Sequence, residues 1–406
     1  MPTLSDLPRG WGILALTPRE DYFDLWNQIR DEAPVRDAGE GLFLVSGWDL
    51  VNRVLRDPAQ LAGSGVSRGF GGPDNPVESV VANWLMSQNG ETHRRARALV
   101  ARLFTPAAAE QLAALVRERS AALVAGFVDE ASLRPANFAA LVAQRLPSEV
   151  IRHLFAIEPG EWEEQVQPLF TTDGLQTGDG FAAVKGLAEY FHAKITAARG
   201  QHLGGIIDQL RAPDRQGGHL MEAEVIANAV LIVTAAIDTT AGLITNTLLR
   251  LLEHPAVMAR VQAEPGLLPR VIEESLRHCP SAPSSTRHAP QALELGGVHI
   301  PAGSDLFLSL AAANRDPAQF QDPDRFDVDR DCGTRLLTFG GGAHFCLGAS
   351  LARTEARLLF EALFAAGRDF RLCEAPRWRQ DNPSVRSPAG LLVSCQRNGP
   401  SAEERA

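Results

Sequence analysis

The residues best able to do chemistry lie in Phe339-Gly-Gly-Gly-Ala-His-Phe-Cys-Leu-Gly348. The stretch is rich in glycine, and its one cysteine, Cys346, sits where the loop meets a strongly helical run from Leu347 to Ala366. A helix start offers unpaired backbone N–H groups and the positive end of its dipole. An anion is stabilised there, so Cys346 is expected to exist as a thiolate. Gly342 and Gly348 have no Cβ, which lets the backbone turn tightly beside a flat ligand and aim amides at the sulfur. Carrying a soft transition metal is the natural use of such a thiolate. The plainer reading is a buried cysteine in a glycine-rich turn, where most lone cysteines belong. Against it, Phe, Gly, His, Cys and Gly at this spacing have odds of roughly one in ten million per start position for a chain of this composition.

Three further groups stand out. In Asn89-Gly-Glu-Thr-His-Arg-Arg-Ala-Arg97, His93 and Arg97 are four apart and share a helix face. Alone, such a pattern is a solvated basic face. In Ala235-Ala-Ile-Asp-Thr-Thr240, an acid and two β-branched alcohols interrupt an apolar run from Met221 to Leu252. That run predicts a buried helix about 48 Å long at the usual rise. Asp238 and Thr239 are locally unfavourable there. Either the hydroxyls bond back to the preceding turn, or the pair forms a proton-delivery groove. Glu274 and Arg277, three apart on a helix, are by default a surface pair of small worth.

Around these groups the chain predicts mostly helices. The spacing gives helices over Asp21–Glu32, Trp48–Arg56, Asn89–Phe104 and Val271–Arg277, and a strand pair over Val35–Ser46. An extended run covers Ser281–His288, and a hairpin is expected over Gly296–Leu310, turning at Pro301-Ala-Gly303. Residues 62–76 are dense in glycine and proline and predict a loop. The chain has 406 residues, 45% of them hydrophobic, with no linker or composition break, which predicts one large domain over 1–406. Five scattered cysteines without a C-x-x-C pair argue against a disulfide framework or a zinc site and fit a reducing compartment. The first residues hold no run of signal or anchor length. A net charge of −10 argues against a nucleic-acid surface.

The cysteine stretch resembles the haem-ligand loop of the cytochrome P450 family, F-x-x-G-x-H-x-C-x-G, at Phe339, Gly342, His344, Cys346 and Gly348. The other motifs agree in order and spacing, with specific matches from about 89 to 350. The resemblance implies a mainly α fold with a small β-sheet region and haem b between the Met221–Leu252 helix and the Cys346 loop. Cys346 is then the axial iron ligand, a thiolate that favours O–O cleavage. His93, Arg97, Arg287 and His344 are expected to pair with the propionates, and Phe339 to shield the sulfur. Asn89-Gly90 stands where the family usually has Asp-Pro-Pro, which affects the helix cap. Ala236 replaces the usual glycine of A-G-x-[DE]-T-[ST], and Asp238 and Thr239 match its acid–alcohol pair. Glu274, Arg277 and Arg330 match a buried structural network behind the haem.

The implied activity is insertion of one oxygen atom from dioxygen into an organic substrate, or its oxidative coupling, with a secondary metabolite as substrate. Electrons are expected from NAD(P)H through a ferredoxin and its reductase. Arg94, Arg95, Arg102, Arg353 and Arg357 are expected to form the basic docking patch for the ferredoxin. The anchor helix of membrane-bound relatives has no counterpart, which points to the soluble bacterial branch and a cytoplasmic location. Substrate contacts are expected from the 62–86 loop with Arg68, the 167–185 hinge, Leu231, Ala235, Ser284, Ser285, Thr286, Ser384 and Val385. Their small and apolar side chains suit a largely apolar or macrocyclic molecule. Two alternatives remain: a peroxide-driven peroxygenase, and a catalytically silent haem or carrier-protein binding module. An intact acid–alcohol pair argues against both.

Overall fold

The computed structural model describes residues 7–59, 76–168, 180–198, 200–215, 217–380 and 382–397. Arg68 with residues 60–75, the part of the expected hinge at 169–179, and the tail at 401–406 lie outside the described residues.

The helices that build and support the site are α1 (Tyr22–Glu32), α2 (Trp48–Arg56), α3 (Pro76–Ala82), α4 (Gly90–Ala101), α5 (Ala113–Leu133), α6 (Arg145–Leu154), α7 (Gly180–Ala197), α8 (Gly205–Arg211), α9 (Glu222–Glu253), α10 (Leu268–His278) and α11 (Ala349–Ala365). The strands are β1 (Val35–Gly39), β2 (Leu42–Val45), β3 (Ala136–Asn137), β4 (Ser284–Ala289), β5 (Leu293–Leu295), β6 (Val298–Ile300), β7 (Ser304–Ser309), β8 (Arg368–Leu372), β9 (Arg377–Trp378), β10 (Pro388–Gly390) and β11 (Leu392–Arg397). The fold is mainly α with small sheets.

Helix α9 is the spine. Its first turn is closed by the Glu224 carboxylate, which accepts the Met221 N–H at 2.9 Å. It then runs through two hydrophobic cores. Val225 to Ile237 pack with α3, α4, α7 and α8, while Ala241 to Leu251 pack with α5, α10 and α11. Asp238 and Thr239 fall between the last residue of the first core and the first of the second. A polar pair is tolerated at that seam because neither core closes over it. The hydroxyls of Thr234, Thr239, Thr245 and Thr247 each bond back to the preceding turn, Thr239 Oγ1 to Ala235 O at 2.7 Å. The helix is nonetheless continuous over its 32 residues.

The main sheet has the order β1-β2-β7-β4, with β2 and β7 parallel and the other pairs antiparallel. This corrects the hairpin expected over Gly296–Leu310. The hairpin lies one step earlier, between β5 and β6, because Gly296 and Gly297 both have positive φ and form its turn. Pro301-Ala-Gly303 instead redirects the chain into the four-stranded sheet, where Gly303 N donates to Ala289 O at 2.7 Å. Strand β7 is buried along its whole length, as a central strand must be.

Candidate active site

The cysteine loop is a short 3-10 turn, Gly342–His344, ahead of α11. Gly342 has φ +64°, and a Cβ there would lie 2.7 Å from Leu55 O and 3.0 Å from Arg56 Cα. Glycine is therefore required twice, by conformation and by the end of α2 pressed beneath it. Gly348 is different. Its φ is −76° and a Cβ would meet Cys346 Sγ at an ordinary 3.9 Å, so its backbone needs no special freedom. Cys346 N donates to Phe339 O at 2.9 Å, which folds the loop back on itself. The Phe339 ring lies 4.5 Å beneath the Arg353 guanidinium, and Arg353 Nε is held 2.5 Å from the Glu273 carboxylate.

Cys346 is exposed, yet it lies deep enough among protein atoms that desolvation pushes its thiol up. The Gly348 amide, Arg97, the Ala349 amide and Arg353 oppose that shift without cancelling it. The helix-start amides and the two arginines are the groups that favour the thiolate. Burial favours the neutral thiol, and a cation at the sulfur would favour the thiolate.

Four basic side chains from three segments, α4, β4 and the loop itself, carry the expected propionate contacts. His93 on α4 is buried, and its ring lies 4.0 Å from that of His344, centroid to centroid. Its Nε2 has no hydrogen-bond partner. Arg97, one turn on, donates to Phe345 O at 2.6 Å. Arg287 on β4 is buried and donates to Thr286 O at 2.7 Å and Ser285 Oγ at 3.3 Å. Burial lowers Arg287 to about 10. Burial, then the charges of His93, Arg287 and Arg97, lower His344 to about 3. Among the described residues none of the four has a carboxylate partner. For the two buried ones, His93 and Arg287, the lack of a counter-ion is costly unless an anion completes them. A ligand with two carboxylates and a thiolate-seeking iron fits this donor set, which is what haem b presents.

Asp238 and Thr239 sit at the middle of α9. Leu347, Leu231 and Ala236 pack against the same hydrophobic cluster, which ties the loop to the middle of the helix. Both oxygens of Asp238 are engaged: Arg379 Nη1 is 2.8 Å from Oδ1, and Asn382 Nδ2 donates to Oδ2 at 3.2 Å. Sequence reasoning did not find Arg379 and Asn382, which carry no motif and reach Asp238 only through the tertiary fold. Ala235 is exposed, Leu231, Ser284, Ser285 and Thr286 are partly exposed, and Ser384 is exposed. Val385 is buried, so only Ser384 of that expected pair is open to a ligand.

Glu274, Arg277 and Arg330 form one network. Arg277 binds Glu274 through two 2.7 Å hydrogen bonds, both side chains being fully buried, and Arg330 Nε approaches the same carboxylate at 3.4 Å. The remaining Arg277 donors go to the carbonyls of Asn314, Pro323 and Arg325. The five arginines of the expected basic docking patch all have partners. Arg94 pairs with Glu91, Arg95 with Glu224, Arg353 with Glu273 and Arg357 with Glu361, while Arg102 donates to the carbonyls of Gln209, Ala212 and Pro213. Arg94 and Glu91 are both largely exposed, and Arg95 keeps part of its side chain open to solvent.

The α9 spine, the cysteine loop and the uncompensated bases together define a haem-thiolate oxygenase. The Cytochrome P450 family profile matches residues 184–366. Cytochrome P450 monooxygenase PikC of Streptomyces venezuelae is 33% identical over 395 residues, covering 93% of this chain and 92% of its own. The 6-deoxyerythronolide B hydroxylase of Saccharopolyspora erythraea is 30% identical over 364 residues, covering 85% of this chain and 88% of its own. A mutant of P450 EryK solved with erythromycin B superposes with a TM-score of 0.83 at 26% identity, covering 96% of this chain and 100% of that one. The chain belongs to the cytochrome P450 family. It is a monooxygenase of the family that uses haem b, dioxygen and electrons from NAD(P)H delivered by redox partners.

Proposed function

We propose that this monooxygenase oxidises a bulky, largely apolar or macrocyclic secondary metabolite, with Cys346 as the iron ligand and Asp238–Thr239 as its proton relay. The observation that carries the haem assignment is the set of four bases without carboxylate partners near Cys346, two of them, His93 and Arg287, buried. His93, Arg97, Arg287 and His344 would hold the two propionates, and Cys346 the iron. When bound, the haem supplies dioxygen activation, and the thiolate favours O–O cleavage. The protein's own part is proton supply. Asp238 links solvent protons to an otherwise apolar helix, and the Thr239 hydroxyl can both donate and accept. General acid help of this kind is typically worth about 100- to 10,000-fold. Glu274, Arg277 and Arg330 would keep the loop's supporting shell rigid. The whole of 1–406 works as one unit in this reading, in the cytoplasm, with a ferredoxin and its reductase as electron source.

The macrocyclic reading draws support from the exposed Ala235 and Ser384 and the partly exposed Ser284–Thr286, small side chains that leave room. Relatives point the same way: one is a 6-deoxyerythronolide B hydroxylase and one structure holds erythromycin B. A screen for substrate-induced spin shift is expected to give larger responses to macrolactones than to short acids. The relay is tested by Thr239→Ala. Haem content and substrate affinity are expected to stay nearly intact, while product per NAD(P)H falls and hydrogen peroxide rises. Unchanged coupling would leave the bond from Thr239 Oγ1 to Ala235 O as the hydroxyl's whole role. Product formation with peroxide alone at the rate seen with redox partners would favour the peroxygenase reading.

A further inference from the structure

The first two turns of α9 hold two buried polar side chains, and both reach towards the chain around α4. Glu224 and Asn228 are each 1% exposed and lie four residues apart, so they share a helix face. Asn228 Oδ1 accepts Leu85 N at 3.1 Å, while its Nδ2 donates to Glu224 O at 2.8 Å and to Asn83 O at 3.4 Å. The acceptor and both donors of that carboxamide are therefore in use. Glu224 Oε1 accepts Arg95 Nη2, and its Oε2 accepts Met221 N at 2.9 Å. Arg95 Nη1 also donates to His219 O at 3.1 Å.

One short segment is thus gripped twice. Asn228 holds the chain at 83–85, ahead of α4, and Glu224 holds Arg95 within α4. His93 and Arg97 lie two residues to either side of Arg95. His93 Nε2 has no hydrogen-bond partner among the described residues, so the direction it faces follows from where its helix lies. The start of α4 adds little stiffness of its own, since Gly90, its first residue, has φ +59° and no side chain. Ala96, Leu99 and Val100 pack α4 into the same apolar cluster as the first half of α9. Apolar contact is non-directional and sets no register, whereas the hydrogen bonds do. The far end of α4 is held separately, Arg102 donating to Gln209 O at 2.6 Å and to Ala212 O at 2.7 Å. Loosening the grip of Glu224 and Asn228 therefore frees the His93 end first.

We propose that Glu224 and Asn228 are positioning residues for haem retention. They lock the segment 83–97 against α9, so that His93 and Arg97 present their donors to the haem carboxylates. Both act through α4, and neither is placed against the haem. The proposal rests on the reading that His93 and Arg97 hold the propionates.

The test compares two haems in the holoenzyme: haem b and its dimethyl ester, which has the same ring and iron but no propionate charge. Transfer to excess apomyoglobin reads the rate of loss. Asn228→Leu is expected to speed loss of haem b about fivefold, the factor that one net hydrogen bond makes. Loss of the ester should change by less than about twofold, because the contact that the brace positions is already missing. The double variant Arg95→Met with Glu224→Gln opens the other grip without stranding a charge, and the same pair of results is expected. Glu224→Gln alone can still accept from Arg95 and should keep most of the restraint. Asn228→Leu leaves Leu85 N unpaired; if it misfolds, the double variant decides. Equal acceleration with both haems would show a merely structural role and overturn the proposal, as would wild-type rates in both variants. If the wild-type enzyme loses the ester as slowly as haem b, the propionate reading of His93 and Arg97 fails, and the brace falls with it.

Discussion

At the scale of single residues, the site is a problem of uncompensated charge. Cys346 is the one cysteine near both amides and arginines; burial pushes Cys279 up to about 11 and Cys332 to about 12. Cys346→Ser is expected to abolish the thiolate-type carbon monoxide difference spectrum, while Cys279→Ser and Cys373→Ser keep it. A second buried group makes a different prediction. Glu355 on α11 is 2% exposed, its Oε2 has no hydrogen-bond partner, and burial raises it from 4.5 to about 8. The folded protein therefore holds this proton more tightly than the unfolded chain. Its contribution to stability is fully present below 4.5 and is lost as pH rises towards 8, levelling off above it. Glu355→Gln is expected to remove that decline. Melting temperature followed from pH 4.5 to pH 9 checks this, a parallel fall in wild type and variant being the contrary result.

At the scale of elements, the buried ion pair on α10 dominates. Arg277→Met would leave Glu274 charged and fully buried, at a cost of about 3–5 kcal/mol. Urea unfolding should show that loss, and replacing both partners with apolar side chains should recover much of it. The sequence was most legible where signals are local. The 3.6-residue periodicity placed α9 within a residue of its ends, and Trp48–Arg56 is bounded by its own Asp57-Pro58 stop. It was least legible where partners are distant. The chain alone offers no reason for β7 to sit between β2 and β4, and the local look of Pro301-Ala-Gly303 as a hairpin turn hid that pairing. The same distinction runs through the site. Cys346, His93 and Thr239 announce themselves by motif, while Arg379 and Asn382 become visible only when a segment 140 residues downstream folds over α9 (Asn382 lies 144 residues from Asp238).

At the scale of the whole molecule, the open issue is how electrons arrive at an acidic protein. The net charge is −10, and four of the five arginines expected to guide a ferredoxin are paired with carboxylates. Arg95 is the least suitable probe, because Arg95→Glu would set a second carboxylate against the buried Glu224 and unfold that corner. Arg94 is better: it and Glu91 are both largely exposed in one helical turn, so the pair holds little stability. Arg94→Glu is expected to leave the melting temperature within a degree or two. Its reduction by an acidic ferredoxin should slow, and the salt dependence of that rate should flatten. A wild-type rate indifferent to ionic strength would show that docking here is not steered by charge.

The contact beneath Gly342 sets an order of events during synthesis. The loop that carries Cys346 rests on the carbonyl of Leu55, and nearby the Trp48 indole holds Arg335 O across 287 residues of chain. At 5–20 residues per second, a ribosome needs roughly 15–60 s to traverse that interval. For all of that time α2 is complete, and the loop meant to lie on it does not yet exist. The apolar side of α2 therefore waits for its partners, since Leu295, Ile300, Leu306, Leu308 and Leu337 of the same core all come late in the chain. Metal capture becomes an act of the nearly finished chain, and a cut or lesion in the first sixty residues would disable a ligand loop that lies wholly in the last seventy.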